Sequence, residues 1–97
     1  TEADAVYLAE NDVQIVEEEL VRAHPCVDQL DAVRQLVLVD MAFNMGVPRL
    51  NKFKKMWAAV HDGDYPTAAK EMLDSRWATQ VKGRAVKLSN AMHNGEF

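Results

Sequence analysis

The stretch from residue 32 to residue 45 is apolar on nearly every side when it is drawn as a helix. Its apolar positions do not keep to one face, and they are Val33, Leu36, Val37, Leu38, Val39, Met41, Ala42, Phe43 and Met45. A helix with apolar residues all round is usually buried in the centre of a domain. Asp31 precedes the stretch as a good N-cap, and Gly46 follows it as a candidate left-handed C-terminal cap. The sequence therefore predicts a buried central helix over residues 32–45.

Glycine and proline residues divide the rest of the chain into further helical segments. The predicted helices are residues 50–60, 66–73, 75–80 and 83–93, preceded by a long N-terminal helix. No run alternates between apolar and polar residues as a β-strand would, and no repeat of 20–50 residues is present. A chain of 97 residues buries only one modest core. We therefore expect an all-α fold, with residues 1–97 forming a single small helical bundle around the central helix.

The N-terminal segment reads as an amphipathic helix of about six turns. Residues 1–4 resemble a capping box, and Pro25 ends the helix near His24. Its apolar residues recur every three or four positions, at Val6, Ala9, Val13, Val16 and Leu20. This stripe is longer than a small domain easily covers, so we expect Val6 and Tyr7 to be exposed or buried against a second copy of the chain. The consequence would be weak self-association through this helix, giving a homodimer, or fraying of its first two turns.

Charge is distributed unevenly along the chain. Residues 1–31 carry nine acidic residues and one basic residue, a net charge of −8, whereas the whole chain carries −4. The positive charge of the remainder is concentrated in Arg49, Lys52, Lys54 and Lys55. Such a division is compatible with a polyanionic partner and equally with two solvated helix faces. The pattern does not favour a helix-turn-helix DNA-binding domain, because the chain is acidic overall and its basic cluster shares a helix with aromatic core residues. No nucleic-acid partner is therefore expected.

The residue types that usually carry catalysis or metal binding are sparse. His24, His61 and His93 have no ligand partner three or four positions away, so neither a metal site nor another cofactor is expected. The single cysteine, Cys26, excludes an internal disulfide and reads as a small packed residue. Glu71 and Asp74 are three residues apart on a helix, either as neighbouring carboxyls or as ordinary surface charge. The N-terminal residues are polar and acidic, so no signal peptide is expected. The sequence has no stretch of about 20 apolar residues, so no membrane span is expected either.

Two stretches occur in a particular order along the chain. The first runs from Leu30 to Arg34 and on from Asp40 to Gly46, and the second is the Ser-Arg-Trp segment at residues 75–77 followed by Arg84 and Ala85. This ordered pair resembles the phage-type lysozymes, a family of glycoside hydrolases, and the first stretch is similar to the family's central buried helix. Residues 1–23 then fall where the family has the helix that joins its two lobes. The resemblance covers almost the whole chain and implies that it corresponds to the C-terminal helical lobe.

The resemblance also implies where substrate would be contacted. Phe43 and Asn44 match positions at the cleft-facing end of the central helix, and Glu71 matches a sugar-contacting position that holds an asparagine in the best-known member. Gln80 matches a position at the cleft rim, together with Arg76 and Trp77, of which Trp77 is expected in the core. Arg84 matches an arginine that pairs with the catalytic glutamate across the lobe interface. Without that partner, we expect Arg84 to be exposed.

The family's catalytic residues are expected upstream, on an N-terminal lobe that this sequence does not contain. They comprise a glutamate followed by glycine, then an aspartate and a threonine near a Thr-x-Gly-x-Gly segment, and none of these motifs occurs here. The resemblance implies a muramidase acting on peptidoglycan, made in a host cytoplasm and acting at the cell wall or periplasm, with the catalytic residues outside this chain. Two other interpretations remain open: a non-catalytic module that binds peptidoglycan or a protein, and a structural part of a larger phage protein.

Overall fold

The computed structural model describes residues 14–97, and these residues form helices and connecting turns without a β-strand. The prediction of an all-α fold is therefore confirmed. Helix α1 contains residues 14–23 and is followed by a short 3-10 helix, Pro25–Gln29. The remaining helices are α2 (Ala32–Met45), α3 (Val47–Leu50), α4 (Lys54–Asp62), α5 (Tyr65–Leu73), α6 (Arg76–Val81) and α7 (Gly83–Asn94).

Local capping chemistry explains most of the helix boundaries. The Asp31 carboxylate accepts a hydrogen bond from the backbone N–H of Arg34, as expected of the N-cap of α2. Asp64 and Ser75 cap α5 and α6 in the same way. Gly63 ends α4 in the left-handed conformation, with φ 76° and ψ 15°. Short polar side chains and glycine therefore delimit these helices, largely where the sequence predicted.

The predicted helix over residues 50–60 is wrong in its first turn. Two helices occupy the region, α3 and α4, and residues 51–53 interrupt them. The carbonyl oxygen of Leu50 accepts a turn hydrogen bond from the Phe53 N–H and a second one from the indole Nε1–H of Trp57, each at 3.0 Å, in place of the bond that a continuous helix would make. Gly46 has φ 87° and ψ 147°, which is a positive φ but not the left-handed helical cap that was expected.

Packing is closest between α5 and α7 and between α4 and α5, while α2 lies against α3 and α7. The core includes Trp77, confirming its predicted burial, and the long side chains of Leu20, Leu38, Met41, Leu50, Met56, Met72 and Met92. Helix α2 is not buried all round, because Leu36 is 50% exposed and Phe43 is 43% exposed. No described element covers that face, so the prediction of a fully buried central helix is corrected to a helix buried on one side.

Arg34 ties three helices together. Its Nε–H donates to the carbonyl oxygen of Met92 at 2.7 Å and its Nη2–H to that of His93 at 3.1 Å, at the end of α7. The guanidinium also pairs with Asp31 at 3.0 Å and lies 3.6 Å from the ring centroid of Tyr65, the first residue of α5. Arg34 thus supplies partners to carbonyls that the end of a helix leaves without internal hydrogen bonds.

The C-terminal end of α1 is held by an aromatic stack. His24 lies parallel to Trp57, with ring centroids 3.6 Å apart, and its Nε2–H donates to Oδ1 of Asn51 at 2.7 Å. On α1 itself, Leu20 is fully buried and Val16 is half-buried, in line with the predicted stripe. Val6, Tyr7, Ala9 and Val13, and the self-association expected of them, lie outside the described residues.

Candidate functional site

A large concave surface lies between α2 and α7, and we call it the α2–α7 groove. It has a volume of about 620 Å³, and its lining residues are Leu36, Val39, Asp40, Phe43, Asn44, Arg84 and Phe97. Phe97 is 65% exposed, so three large apolar side chains of this groove are open to solvent. Scattered exposed apolar residues are ordinary, but several on one concave face mark an interaction surface.

Asp40 and Arg84 form an ion pair in this groove. The Nη2–H of Arg84, in the first turn of α7, donates to Oδ1 of Asp40 at 2.5 Å. Arg84 is exposed, as predicted, but it is not without a partner, because α2 and α7 pack together and bring the Asp40 carboxylate to it. An exposed pair of this kind contributes at most about 1 kcal/mol to folding. Its main effect is to place charge within an otherwise apolar groove.

A second concave surface, the α4–α5 groove, has a different chemistry. Its volume is about 370 Å³, and its lining residues are Lys52, Phe53, Lys54, Lys55, Met56, Glu71, Asp74 and Ser75. The lysines belong to the turn before α4 and to its first residues, whereas the acids belong to α5 and to the residue that follows it. This groove is therefore bordered by charges of opposite sign.

The structure divides the five predicted substrate-contacting residues among three places. Phe43, Asn44 and Arg84 line the α2–α7 groove, while Glu71 lines the α4–α5 groove. Gln80 lies in neither, and its Oε1 accepts a weak hydrogen bond from Nη2 of Arg49 at 3.5 Å. Asn44 is exposed, so water can satisfy its amide, and the argument that its burial would require protein partners no longer applies.

The family model described as Phage lysozyme matches residues 1–92. The chain belongs to the phage lysozyme family. The relatives that it matches include the pre-baseplate central spike protein of Enterobacteria phage T4, which is 33% identical over 101 residues, covering 100% of this chain and 17% of the relative.

Two probable T4-type lysozymes of Dictyostelium discoideum are also similar to this phage lysozyme chain. One is 31% identical over 68 residues, covering 70% of this chain and 40% of the relative. The other is 30% identical over 66 residues, covering 68% of this chain and 39% of the relative. The chain therefore spans less than half the length of the curated relatives it matches.

Sequence reasoning missed several groove residues of the phage lysozyme chain. Leu36 was assigned to the core and Asp40 was not singled out, yet both line the α2–α7 groove. Leu36, Asp40 and Phe43 are spaced by four and three residues, which places them on one helix face. Asp40 lies between Leu36 and Phe43 on this face, and a charged residue at that position indicated that the face is exposed to solvent.

The described residues contain no enclosed general acid. Within residues 14–97 the only buried polar or charged side chain is Ser89, whereas Glu71 and Asp40 are partly exposed and Asp74 is exposed. A glycosidase acid usually requires an apolar setting that keeps it protonated. Among these same residues no group of three histidine, cysteine or acidic side chains could hold a metal ion, and no helix is long and apolar enough to span a membrane.

Cys26 differs from the groove residues because it is half-buried beside the His24–Trp57 stack. Partial burial raises the pKa of its thiol, and a hydrogen bond with its own backbone opposes this only in part. The thiolate is the reactive form, so this environment disfavours nucleophilic chemistry. The prediction that Cys26 is a packed residue rather than a nucleophile agrees with this placement.

Proposed function

We propose that this chain is the C-terminal helical lobe of a phage-type endolysin. The intact enzyme would hydrolyse the β-1,4 bond between N-acetylmuramic acid and N-acetylglucosamine of peptidoglycan during host-cell lysis. Membership of the phage lysozyme family, matched over residues 1–92, is the observation that supports this proposal. The protein would be made in the host cytoplasm and act at the cell wall or periplasm.

The catalytic residues of the intact enzyme would come from an N-terminal lobe. The absence of a buried carboxylate among residues 14–97 supports this division of labour. The α2–α7 groove is the surface on which that lobe would pack, because Leu36, Phe43 and Phe97 are apolar and exposed to solvent. Arg84 would present its remaining N–H groups to a carboxylate of the lobe, and Asn44 would border the substrate cleft.

The decisive experiment compares this chain with the protein encoded by its complete parent gene. Permeabilised bacteria are treated with each, and the fall in turbidity is followed. We expect the complete protein to clear the suspension and the 97-residue chain not to, since general acid catalysis alone contributes on the order of 10²–10⁴ in rate. Clearing by the chain at the rate of the complete protein would contradict the proposal and direct attention to Glu71 and Asp74.

The alternative is a non-catalytic helical module that binds peptidoglycan or a protein. One observation favours it: a relative matched over the whole chain is named a central spike protein, and it is far longer than this chain. The parent gene discriminates between the two proposals. An upstream Glu-Gly pair with a Thr-x-Gly-x-Gly segment supports the enzyme, whereas a parent protein that lacks both and leaves turbidity unchanged supports the module.

A further inference from the structure

The α2–α7 groove lies beside a second cavity, and a ridge of three side chains separates the two. The second cavity has a volume of about 440 Å³ and is otherwise bordered by α7. Asp40, Arg84 and Phe97 line both concave surfaces, so they form the ridge between them. A ridge next to a groove is a shape that fits a copy of itself, since a two-fold axis can place each ridge in the other copy's groove.

The apolar surface around this ridge is open to solvent. Phe97 is 65% exposed on the ridge, and Leu36 and Phe43 are 50% and 43% exposed in the groove. An aromatic side chain presents about 150–250 Å², so the two phenylalanines alone leave roughly 200 Å² uncovered in each copy. If Phe97 of one copy enters the groove of another, apolar area is removed from water on both copies, and this is the main driving force of most protein association.

The charged groups on the ridge are also complementary to themselves. Among residues 14–97 the Arg84 guanidinium donates only to Oδ1 of Asp40, through its Nη2–H, and Oδ2 of Asp40 accepts no hydrogen bond. Each copy therefore offers free N–H donors and a free carboxylate oxygen side by side. In a two-fold dimer, Asp40 of one copy meets Arg84 of the other, and the same contact is repeated across the axis. The result is an alternating ring of four charges that carries no net charge.

Other occupants match this surface less well. A polyanion would be repelled by Asp40, and a polycation by Arg84. A purely apolar ligand would bury the ion pair without giving it new partners, and removing charges from water costs free energy that only further hydrogen bonds offset. A second copy of the chain supplies a carboxylate, a guanidinium and a phenylalanine ring together.

We propose that the α2–α7 groove of this chain binds a second copy of the chain in a two-fold dimer. Phe97 of each copy enters the other's groove beside Leu36 and Phe43, and the Asp40 and Arg84 side chains pair across the axis. A stable complex buries about 800 Å² on each partner, several times the open area of the two phenylalanines, so this dimer is weak and reversible. The surface differs from the N-terminal stripe, for which self-association was expected from the sequence. The dimer requires only that the groove be open in the 97-residue chain, so it does not rest on the proposed function.

Association is measured by sedimentation equilibrium of the 97-residue chain at constant salt, from about 10 µM to about 1 mM, the range in which a small interface dissociates. We expect the average mass to rise from monomer towards dimer. Charge variants test the crossed pairing, since Asp40→Arg gives a ridge with two cations and Arg84→Asp gives one with two anions. Each variant alone should dimerise about tenfold more weakly than the unmodified chain, because like charges meet across the axis. Their equimolar mixture should form a heterodimer at least as tight as the unmodified dimer, because opposite charges then meet.

Matched leucine variants test the apolar contact. Leu36→Ala removes three carbons from the groove, whereas Leu73→Ala removes the same carbons from α5, where Leu73 is 45% exposed and lies outside the groove. We expect Leu36→Ala to weaken dimerisation by at least about fivefold, as for the loss of half-buried apolar carbons, and Leu73→Ala to leave it unchanged. Circular dichroism confirms that each variant retains its helices.

A chain that stays monomeric at about 1 mM would overturn the dimer. A dimer whose affinity the charge variants and Leu36→Ala leave unchanged would also overturn it, and would place the interface elsewhere on the chain. Failure of the proposed function gives a different pattern. If the chain dimerises through the groove while the complete parent protein is monomeric and clears peptidoglycan, both proposals stand, because an N-terminal lobe on the groove excludes the second copy. If the chain dimerises through the groove and the complete protein clears nothing, the dimer stands and the muramidase proposal fails.

Discussion

Met41 and Leu36 lie on the same helix but in opposite environments. Met41 is 0% exposed in the core, whereas Leu36 is 50% exposed at the α2–α7 groove. Sequence reasoning treated both as core residues whose truncation to alanine costs 2–5 kcal/mol if they are fully buried. Of these two residues only Met41 is fully buried, so truncating the two side chains should have clearly different costs in folding free energy.

The expected magnitudes follow from burial. Met41→Ala loses its transfer free energy and leaves a cavity, for a total of about 2–5 kcal/mol. Leu36→Ala removes three carbons worth about 0.8 kcal/mol each when fully buried, and half-exposure reduces the total to roughly 1 kcal/mol. Water fills the space at Leu36, so no cavity cost is added. The free energies of unfolding should therefore differ by at least about 1 kcal/mol.

Urea unfolding of the 97-residue chain, followed by circular dichroism at 222 nm, measures both changes. With a denaturant slope of about 1.5 kcal/mol/M, Met41→Ala lowers the midpoint by about 2 M and Leu36→Ala by about 0.7 M. Because Met41→Ala could unfold a small domain completely, Met41→Leu serves as a milder variant with a cost below about 1.5 kcal/mol. Equal midpoint shifts for the two alanine variants, or a larger shift for Leu36→Ala, would refute the assignment of the groove face.

Two further predictions concern helix ends. Gly95→Ala should lower the free energy of unfolding more than Gly63→Ala. Both glycines have φ 76°, so backbone strain costs about 1–2 kcal/mol at each, but only at Gly95 would the added Cβ lie 3.0 Å from Arg34 Nη1. Equal shifts in thermal unfolding for the two variants would contradict the crowding at Arg34. At Asp31, partial burial acts to raise the pKa of the carboxyl, but hydrogen bonds and the charge of Arg34 outweigh it and hold that pKa below its ordinary value. The resulting stabilisation is present above the unfolded-state pKa near 4 and is lost as pH falls through the lower folded-state pKa. Asp31→Asn should therefore lower the melting temperature at pH 7, by an amount equivalent to about 0.5 kcal/mol for this exposed group, and leave it unchanged at pH 2.

Much of the local structure was predictable because it depends on neighbours in the chain. Asp31 caps α2 and Pro66 lies in the first turn of α5, where its fixed φ suits a helix. Trp77 is buried, as its place in the Ser-Arg-Trp segment implied. The break between α3 and α4 was not predictable in this way, because the Leu50 carbonyl accepts hydrogen bonds from the Phe53 backbone N–H and from the Trp57 side chain, and the second depends on how the two helices pack.

The candidate site was only partly predictable. Phe43, Asn44 and Arg84 were expected at a cleft and do line one groove, but the Asp40 partner of Arg84 depends on how α2 packs against α7. Glu71 was predicted by resemblance alone, and its setting among Lys54, Lys55 and Phe53 arises from the packing of α4 against α5. Gln80 contacts Arg49, and its expected place beside substrate stays a prediction.

The sequence by itself determined the helical composition, most helix ends and the family, since capping, glycine conformations and apolar periodicity act over a few residues. Tertiary structure decided which apolar faces are covered. Leu36 and Phe43 are as apolar as Leu38 and Met41, and residue type does not tell them apart. The distinction depends on whether α3 and α7 lie against a given side of α2, and this is set by the packing of distant segments. The sides of α2 that they leave uncovered are where the α2–α7 groove is open.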